Sequence, residues 1–301
     1  MPASYLPDPV QDREDQFYPD ILEICLNLPK SKGFIMNTFE CLESTLIKTI
    51  TDGLCLPDAP TPPVYCIGPL IASPKNRGGE GDEAVDPCLS WLDAQPSESV
   101  VFLCFGSGGV FSTKQVREIA IGLEKSGQKF LWVVRQLVSE DINKHLCMEY
   151  KDPYLEALLP QGFLDQNKER ALVVKSWAPQ VDVLNHESIG GFVTHCGWNS
   201  VLESICAGVP MVAWPLYAEQ RMNKVFLVEE MKLAMPKEEL KDGLVSAAEV
   251  EKRVKALMAL KEGRVLRERS RKMKEEAMTV WSECGSSMNA FTNLAESWVI
   301  Q

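Results

Sequence analysis

The sequence predicts an α/β fold in which a doubly wound parallel sheet carries helices on both faces. Two observations lead there. From about Val64 onward, short and continuously apolar runs recur: VVFLCFGS, FLWVVR, ALVVKSW, GGFVTH and PMVAWP. Between most of them lie amphipathic stretches, among them STKQVREIAIGLEKSG and SVLESICAG. Strands that are apolar at every position belong to sheets buried on both sides, and alternation with helices makes such sheets parallel.

The elements follow in order. Residues 1–30 are polar and proline-containing, with no clear first strand. GFIMNTF (33–39) reads as a strand and ECLESTLIKTI as the helix after it, a pair too small to bury both of its faces. PDAPTPPVY is a proline-rich connection of the kind that separates domains. VYCIGPL opens the strand–helix rhythm, and SPKNRGGEGDEAVD (73–86) reads as a charged surface loop. After Gln220 the text is mainly helical, through QRMNKVFLVEEM, SAAEVEKRVKALMAL and GRVLRERSRKMKEEAMTVW. SMNAFTNLAESWVI closes the chain, with Phe291, Leu294 and Trp298 on one face. Three parts are therefore expected: 1–62 as the remnant of one domain, 63–281 as the doubly wound domain, and 282–301 as a closing helix.

Composition narrows the partners. A net charge of -11 over 301 residues would repel a nucleic-acid backbone, so no nucleic acid is expected. The start MPASYLPDPVQDRED lacks the basic end and apolar core of a secretory signal. No apolar run approaches membrane-spanning length. A cytoplasmic protein without membrane insertion is the expectation. Ten cysteines without a CxxC read as reduced, mostly buried thiols. His145, His186 and His195 lack metal-ligand spacing, so no metal is expected.

The most chemical stretch is THCGWNSVLESICAGVP, residues 194–210. In doubly wound folds, ligands sit beyond the carboxyl ends of the strands. GGFVTH delivers His195 to such an end, Gly197 permits close approach of backbone, and Asn199 and Ser200 open the next helix. Unpaired helix-start amides plus these donors make an anion site. Ordinary capping by Asn or Ser is the plainer alternative, and Ser200 with Glu203 also fits a capping box. As a functional residue, Glu203 would accept hydrogen bonds from vicinal ribose hydroxyls. Trp177 would stack on a flat base, with the Gln180 amide in reach. Glu219 and Gln220, following PMVAWP, would bind sugar hydroxyls or else simply begin a helix. Trp198 is either a ligand contact or part of the core. FGSGG (105–109) lacks GxGxxG spacing, and no GxxxxGK[ST] loop occurs. The residues thus describe a pocket for a base, a ribose, a phosphate and a polyhydroxylated group, with no residue marked as a catalyst.

Trp177–Gln220, WAPQVDVLNHESIGGFVTHCGWNSVLESICAGVPMVAWPLYAEQ, resembles the 44-residue signature box of plant family 1 UDP-glycosyltransferases. KGFIMNTFECLE, PPVYCIGPL, CLSWLDAQPSESVVFLCFGS and LLPQGF resemble the same family, so the likeness covers nearly the whole chain. PDAPTPPVYCIGPL and WPLYAEQRMNK are most similar to the subgroup that glucosylates flavonoids, chalcones and related phenols. The resemblance implies a GT-B fold, two Rossmann-like domains facing across a cleft with the donor in the C-terminal one. It implies that Trp177 stacks on uracil while Ala178, through its backbone, and Gln180 fix the nucleoside. Glu203 would bind the ribose, and His195, Asn199, Ser200 and Ser107 the diphosphate. Trp198, Glu219 and Gln220 would contact the sugar. Gln220 is usual for glucose donors, where histidine accompanies some galactose donors. Trp198 also fits glucose, since arginine there marks glucuronosyl relatives. Glu219 departs from the aspartate of many members; it keeps the carboxylate and lengthens its reach.

The same resemblance implies an inverting O-glucosyltransferase that takes UDP-glucose and a small phenolic acceptor, needs no cofactor or metal, and is a monomer when complete. The family's catalytic histidine and its aspartate lie in a part of the N-terminal domain that would precede this sequence. No catalytic residue is therefore expected here. His145, in variable polar text, is no substitute. The closing helix would cross back onto the N-terminal domain, leaving its apolar face partly bare. A non-catalytic UDP-sugar-binding module is the rival reading; hydride transfer lacks its glycine fingerprint.

Overall fold

Six apolar runs pair into one sheet, and the order of that sheet decides where a ligand can sit. A computed structural model describes residues 2–56, 59–72, 86–137, 150–151 and 154–299. The chain runs α1 (Asp8–Gln11), α2 (Tyr18–Asn27), β1 (Phe34–Met36), α3 (Ser44–Thr51), β2 (Val64–Cys66), α4 (Pro87–Asp93), β3 (Val100–Cys104), α5 (Thr113–Ser126) and β4 (Lys129–Val134). It continues with β5 (Gln136–Leu137), β6 (Tyr150–Lys151), α6 (Leu155–Leu158), α7 (Phe163–Asn167), β7 (Ala171–Lys175), α8 (Gln180–Asn185), β8 (Ile189–Thr194), α9 (Trp198–Ala207) and β9 (Met211–Ala213). Next come α10 (Gln220–Val225), β10 (Ala234–Pro236), α11 (Ala247–Ala259), α12 (Lys261–Thr279) and α13 (Ser286–Val299).

The large sheet has the order β10-β9-β8-β3-β4-β7, and every neighbouring pair is parallel. Read from β7, its six strands come third, second, first, fourth, fifth and sixth in the chain. That is the doubly wound order, with its switch point between β3 and β8. β3 is buried at all of its residues, and its side chains alternate between two cores. Val100 and Phe102 pack with Leu92, Leu184, Leu202 and Ile205 on one face. Val101 and Leu103 pack with Val116, Ile119, Leu123 and Val254 on the other.

The second face is pinned by polar contacts as well as by burial. The Ser112 side chain caps α5, and Gly127 ends it in the left-handed region. Buried Gln115 exchanges two hydrogen bonds with the Val245 backbone, each 2.9 Å long, which ties the start of α5 to the approach to α11.

Four sequence expectations change. VYCIGPL does not open the large sheet: β2 pairs in parallel with β1, Val64 opposite Phe34. The short strand continues from a Pro63 carbonyl already bonded to the Phe34 amide, so GFIMNTF captures it first. β10 is a strand inside text read as helical; its three residues at a sheet edge are too few to leave a period. The helix of QRMNKVFLVEEM stops being α at Val225 and widens into a π turn over Phe226–Glu230. The thiols also differ from expectation: Cys66, Cys88, Cys104 and Cys196 are buried, but Cys25, Cys41, Cys55 and Cys284 are exposed. The loop read at 73–86 falls outside the described residues except for Asp86, and His145 lies outside them too.

Along α13, Leu294 is buried while Phe291 and Trp298 are 47% and 68% exposed. The helix is fastened at its start, where the Ser287 hydroxyl donates to the Gly68 carbonyl over 2.5 Å.

Arg170 shows how the sheet's far side is closed. Its guanidinium donates to Gln128 O over 3.0 Å and to Glu124 O over 2.9 Å, meeting the negative end of α5 just before β4. Charge-assisted bonds of this kind contribute about 1.5–3 kcal/mol. Arg170→Ala should therefore lower unfolding stability by about 2 kcal/mol in urea titrations. A change inside the fitting error would show that these carbonyls are satisfied by water instead.

Candidate functional site

The carboxyl ends of β3, β8 and β9 converge at the switch point, and His195 is the residue on which they meet. Its imidazole lies between two backbones. A Cβ added to Gly106 would stand 2.5 Å from its Nε2, and one on Gly197 would meet the same atom closer still. Gly106 has φ +73 as well, a conformation that side chains resist. The FGS turn after β3 and the CGW turn after β8 can therefore close on the ring only because both positions lack side chains.

His195 is 7% exposed, and its Nδ1 is buried without a hydrogen-bond partner among the described residues. Burial pushes its pKa down to about 4. The ring is neutral at pH 7 and offers one N–H and one acceptor, not a positive charge.

α9 begins at Trp198, with Gly197 as its N-cap and no side-chain cap. Asn199 and Ser200 are thus second and third in the helix, which removes the capping and capping-box alternatives for this segment. The first-turn amides of α9 have no intrahelical acceptor, and they follow directly on the turn that carries His195. Asn199 is exposed and Ser200 buried. Cys196, just before, takes a left-handed φ of 66. That turn is fixed by Cys196 N–H donating to Thr194 Oγ1 over 3.2 Å and by Asn223 Nδ2 donating to Cys196 O over 2.9 Å. Burial pushes the Cys196 thiol up to about 12, so it is a packing residue.

Gln180, at the start of α8, donates through Nε2 to Ser200 Oγ over 2.9 Å and to Glu203 Oε2 over 2.6 Å. The amide fixes a half-buried carboxylate one turn along α9 from the anion-facing amides. After β7, Ser176 takes φ 63 and the Trp177 amide folds back onto Lys175 O over 2.6 Å. The sharp turn leaves the Trp177 ring 56% exposed and Ala178 buried beneath it.

On the other flank, Gln220 is buried and its Oε1 accepts from the amides of Leu216 and Tyr217 at 2.9 and 3.0 Å. Its carbonyl thus shapes the loop after β9. Glu219, exposed, occupies the N-cap of α10. Ser107 is exposed at the tip of the FGS turn, its carbonyl held by Arg135 Nη1 over 3.2 Å. The Gly108 backbone lies against the Tyr217 hydroxyl, so the β3 and β9 loops touch. Trp198 is placed differently from a simple sugar contact. Its Nε1 donates to Asn37 O over 2.7 Å, and its ring packs on the core. Its backbone amide lies in the first turn of α9.

Sequence reading placed Gly106 at a strand end without its contact to His195, and it missed Asn223, Tyr217 and Asn37. Asn223 follows Gln220 by three in QRMNK, a helical spacing that places it under the Cys196 turn. Nothing local could announce Asn37, which is 161 residues from its partner. Among the described residues no group of three His, Cys, Asp or Glu side chains could hold a metal ion, and no helix is long and apolar enough to cross a membrane.

The profile of the family described as UDP-glucoronosyl and UDP-glucosyl transferase matches residues 77–273. The chain is 53% identical over 301 residues to UDP-glycosyltransferase 88F4 of Malus domestica, which covers 99% of this chain and 62% of that protein. It is 52% identical to the phloretin 2'-O-glucosyltransferase of the same species, with the same coverage. Its structure superposes with a TM-score of 0.85 on Phytolacca americana UGT2 complexed with UDP-2fluoro-glucose and pterostilbene, at 43% identity, 99% of this chain and 62% of that one. The chain thus spans less than two thirds of the length of the proteins it matches.

The His195 environment has a pH signature. Its folded pKa of about 4 lies below the unfolded value of about 6.5, so the unfolded chain binds the extra proton. Stability is complete above pH 6.5 and is lost as pH falls toward 4, by on the order of 3 kcal/mol. His195→Gln should flatten that slope in urea unfolding between those limits. An unchanged slope would show that the imidazole is hydrated in the folded state.

Proposed function

The chain belongs to the UDP-glucuronosyl and UDP-glucosyl transferase family, and on that premise we propose that it forms the UDP-glucose-binding part of an inverting O-glucosyltransferase acting on flavonoid or related phenolic hydroxyls. The observation that carries the proposal is the convergence at one switch point of a neutral buried imidazole, open helix-start amides and a carboxylate fixed by an amide.

In this reading uracil stacks on Trp177, with the Ala178 backbone and the Gln180 side chain beside it. Glu203 accepts from both ribose hydroxyls. The diphosphate lies against the first-turn amides of α9, with His195, Asn199, Ser200 and Ser107 donating. The sugar meets the Trp198 amide, Glu219 and the Gln220 NH2 group. A deprotonated phenol attacks the anomeric carbon from the face opposite the diphosphate; that bond breaks, the configuration inverts, and charge grows on the departing phosphate. Amides and a neutral imidazole N–H already aimed at those oxygens stabilise that charge without reorganising. No metal or cofactor takes part in the proposed reaction, and the protein works in the cytoplasm as a monomer when complete.

The acceptor's base is proposed to lie outside these residues. His186 sits before β8, at the opposite end of the sheet, between Ser188 Oγ at 2.9 Å and Asp93 Oδ1 at 3.1 Å. His195 belongs to the phosphate side. General-base help is commonly worth about 10²–10⁴-fold, so these 301 residues alone should bind UDP and transfer poorly. The similar glucosyltransferases named for phloretin favour the enzymatic reading over a non-catalytic binding module.

Glu203→Ala should weaken UDP by about 1–3 kcal/mol, the loss of hydrogen bonds to a charged group, and barely change the binding of inorganic pyrophosphate. Equal losses for both ligands in calorimetry would remove Glu203 from the ribose.

Donor choice is tested by joining this chain to the N-terminal domain of a similar glucosyltransferase and offering UDP-glucose, UDP-galactose and UDP-glucuronic acid together. Glucose should be transferred preferentially, because Gln220 and the Trp198 position suit it. Transfer of either competitor in preference would overturn the donor assignment. Tight UDP binding without any transfer would favour the module.

A further inference from the structure

A second cavity, of about 570 Å³, lies on the far side of the loop after β9, and none of the residues proposed for UDP-glucose lines it. Four cations do: Lys114, Arg221, Lys224 and Lys237, against two carboxylates, Glu239 and Asp242. In a chain of net charge -11, this local excess of positive charge is out of character. The start of α5 forms another part of the wall, with Ser112 capping the helix, and adds the positive end of a helix dipole.

Lys237 is the buried member, its side chain 4% exposed. The ammonium is paired with Glu239 and lies 5.5 Å from the centre of the Trp214 ring. The other cations are loosely engaged. Arg221 meets Asp8 at 3.3 Å and Lys114 meets Asp242 at 3.4 Å, both in solvent-exposed pairs, and Lys224 stands 5.9 Å from the Tyr5 ring centre. Exposed pairs of that kind contribute little, so an incoming anion displaces them at small cost. Glu239 and Asp242 offset two of the four cations that line the cavity, and Asp8 meets Arg221 from outside the lining.

We propose that this cavity is a binding site for a small dianionic oxyanion, either a phosphoryl group or a dicarboxylate, held by Arg221, Lys224 and Lys237 at the amino end of α5. An anion there replaces repulsion among the cations with attraction. The same change acts on the Lys237 ammonium. Burial first, then Lys224 and Arg221, hold its pKa down to about 7, against the opposing pull of Cys196 and Glu249. Glu239 and the dianion face it from the cavity side. With the site filled, the charged form is favoured, so binding above pH 7 takes up a proton.

The test is calorimetry on the 301-residue chain at pH 7.5, saturated with UDP, with inorganic phosphate and succinate as the two probes. Each titration is run in two buffers of different ionisation enthalpy. At least one probe should bind with net proton uptake. Arg221→Gln combined with Lys224→Gln, both at partly exposed positions, should weaken that binding at least tenfold while UDP affinity stays unchanged. Lys237→Met should remove the proton uptake. Phosphate ahead of succinate identifies a phosphoryl ligand, and the reverse order a dicarboxylate. Binding of neither probe, binding indifferent to the double substitution, or a probe expelled by UDP would each overturn the proposal; in the last case the probe sits in the crevice at His195.

Discussion

The site depends on one contact: the His195 imidazole held between the backbones of Gly106 and Gly197. β3 and β8 are neighbours in the sheet, but the chains leaving them go to opposite faces, α5 on one and α9 on the other. A crevice must open between the two departing loops. A histidine fills its floor, and two glycines let both loops close down on the ring. With a side chain at either glycine the loops would stand apart, and the helix-start amides of α9 would no longer border a confined space.

The remaining loops are fastened to that centre one after another. Asn223 holds the strained Cys196 turn from α10, and the first residue of α10, Gln220, shapes the loop after β9. One short helix therefore positions both the turn proposed to face phosphate and the residue proposed to choose the sugar. Gln180 links α8 to α9 through Ser200 and Glu203. Trp198 reaches across to Asn37, and Ser287 to Gly68, so the β1–β2 segment is tied to α9 on one side and to α13 on the other. Trp198 serves the architecture through its ring and the crevice through its amide. A ring substitution there would disturb the attachment of residues 33–39 before it altered any sugar contact.

The doubly wound sheet was legible because its strands are apolar on both faces and its helices carry a clean period. β3, β4, β7, β8 and β9 each coincide with a run read from sequence. What escaped was either too short or too distant. β10 has three residues, and the β1–β2 pairing depends on which of two sheets captures VYCIGPL, a choice made by geometry and not by composition. In the site, the residues at strand ends could be named because the fold class says where ligands go. Their division of labour could not. For Asn199 and Ser200, capping stayed open as the alternative to an anion site until the helix was seen to begin at Trp198. The Gly106–His195 contact joins positions that only the strand order brings together.

Two ways of holding an anion can be contrasted within this one chain. Toward the proposed diphosphate, the crevice at the switch point presents mainly dipoles beside the carboxylates of Glu203 and Glu219: amides of α9, hydroxyl and carboxamide groups, and an imidazole that burial keeps uncharged. Such a site can stabilise charge as it develops without binding every passing anion, because it gains little from long-range attraction and must be matched at close range. A cationic site would hold the diphosphate of substrate and product alike and slow the release of UDP. The cavity beside α5 follows the opposite rule, with full charges, loose ion pairs and one buried lysine, which suits an anion that is held and exchanged but not transformed.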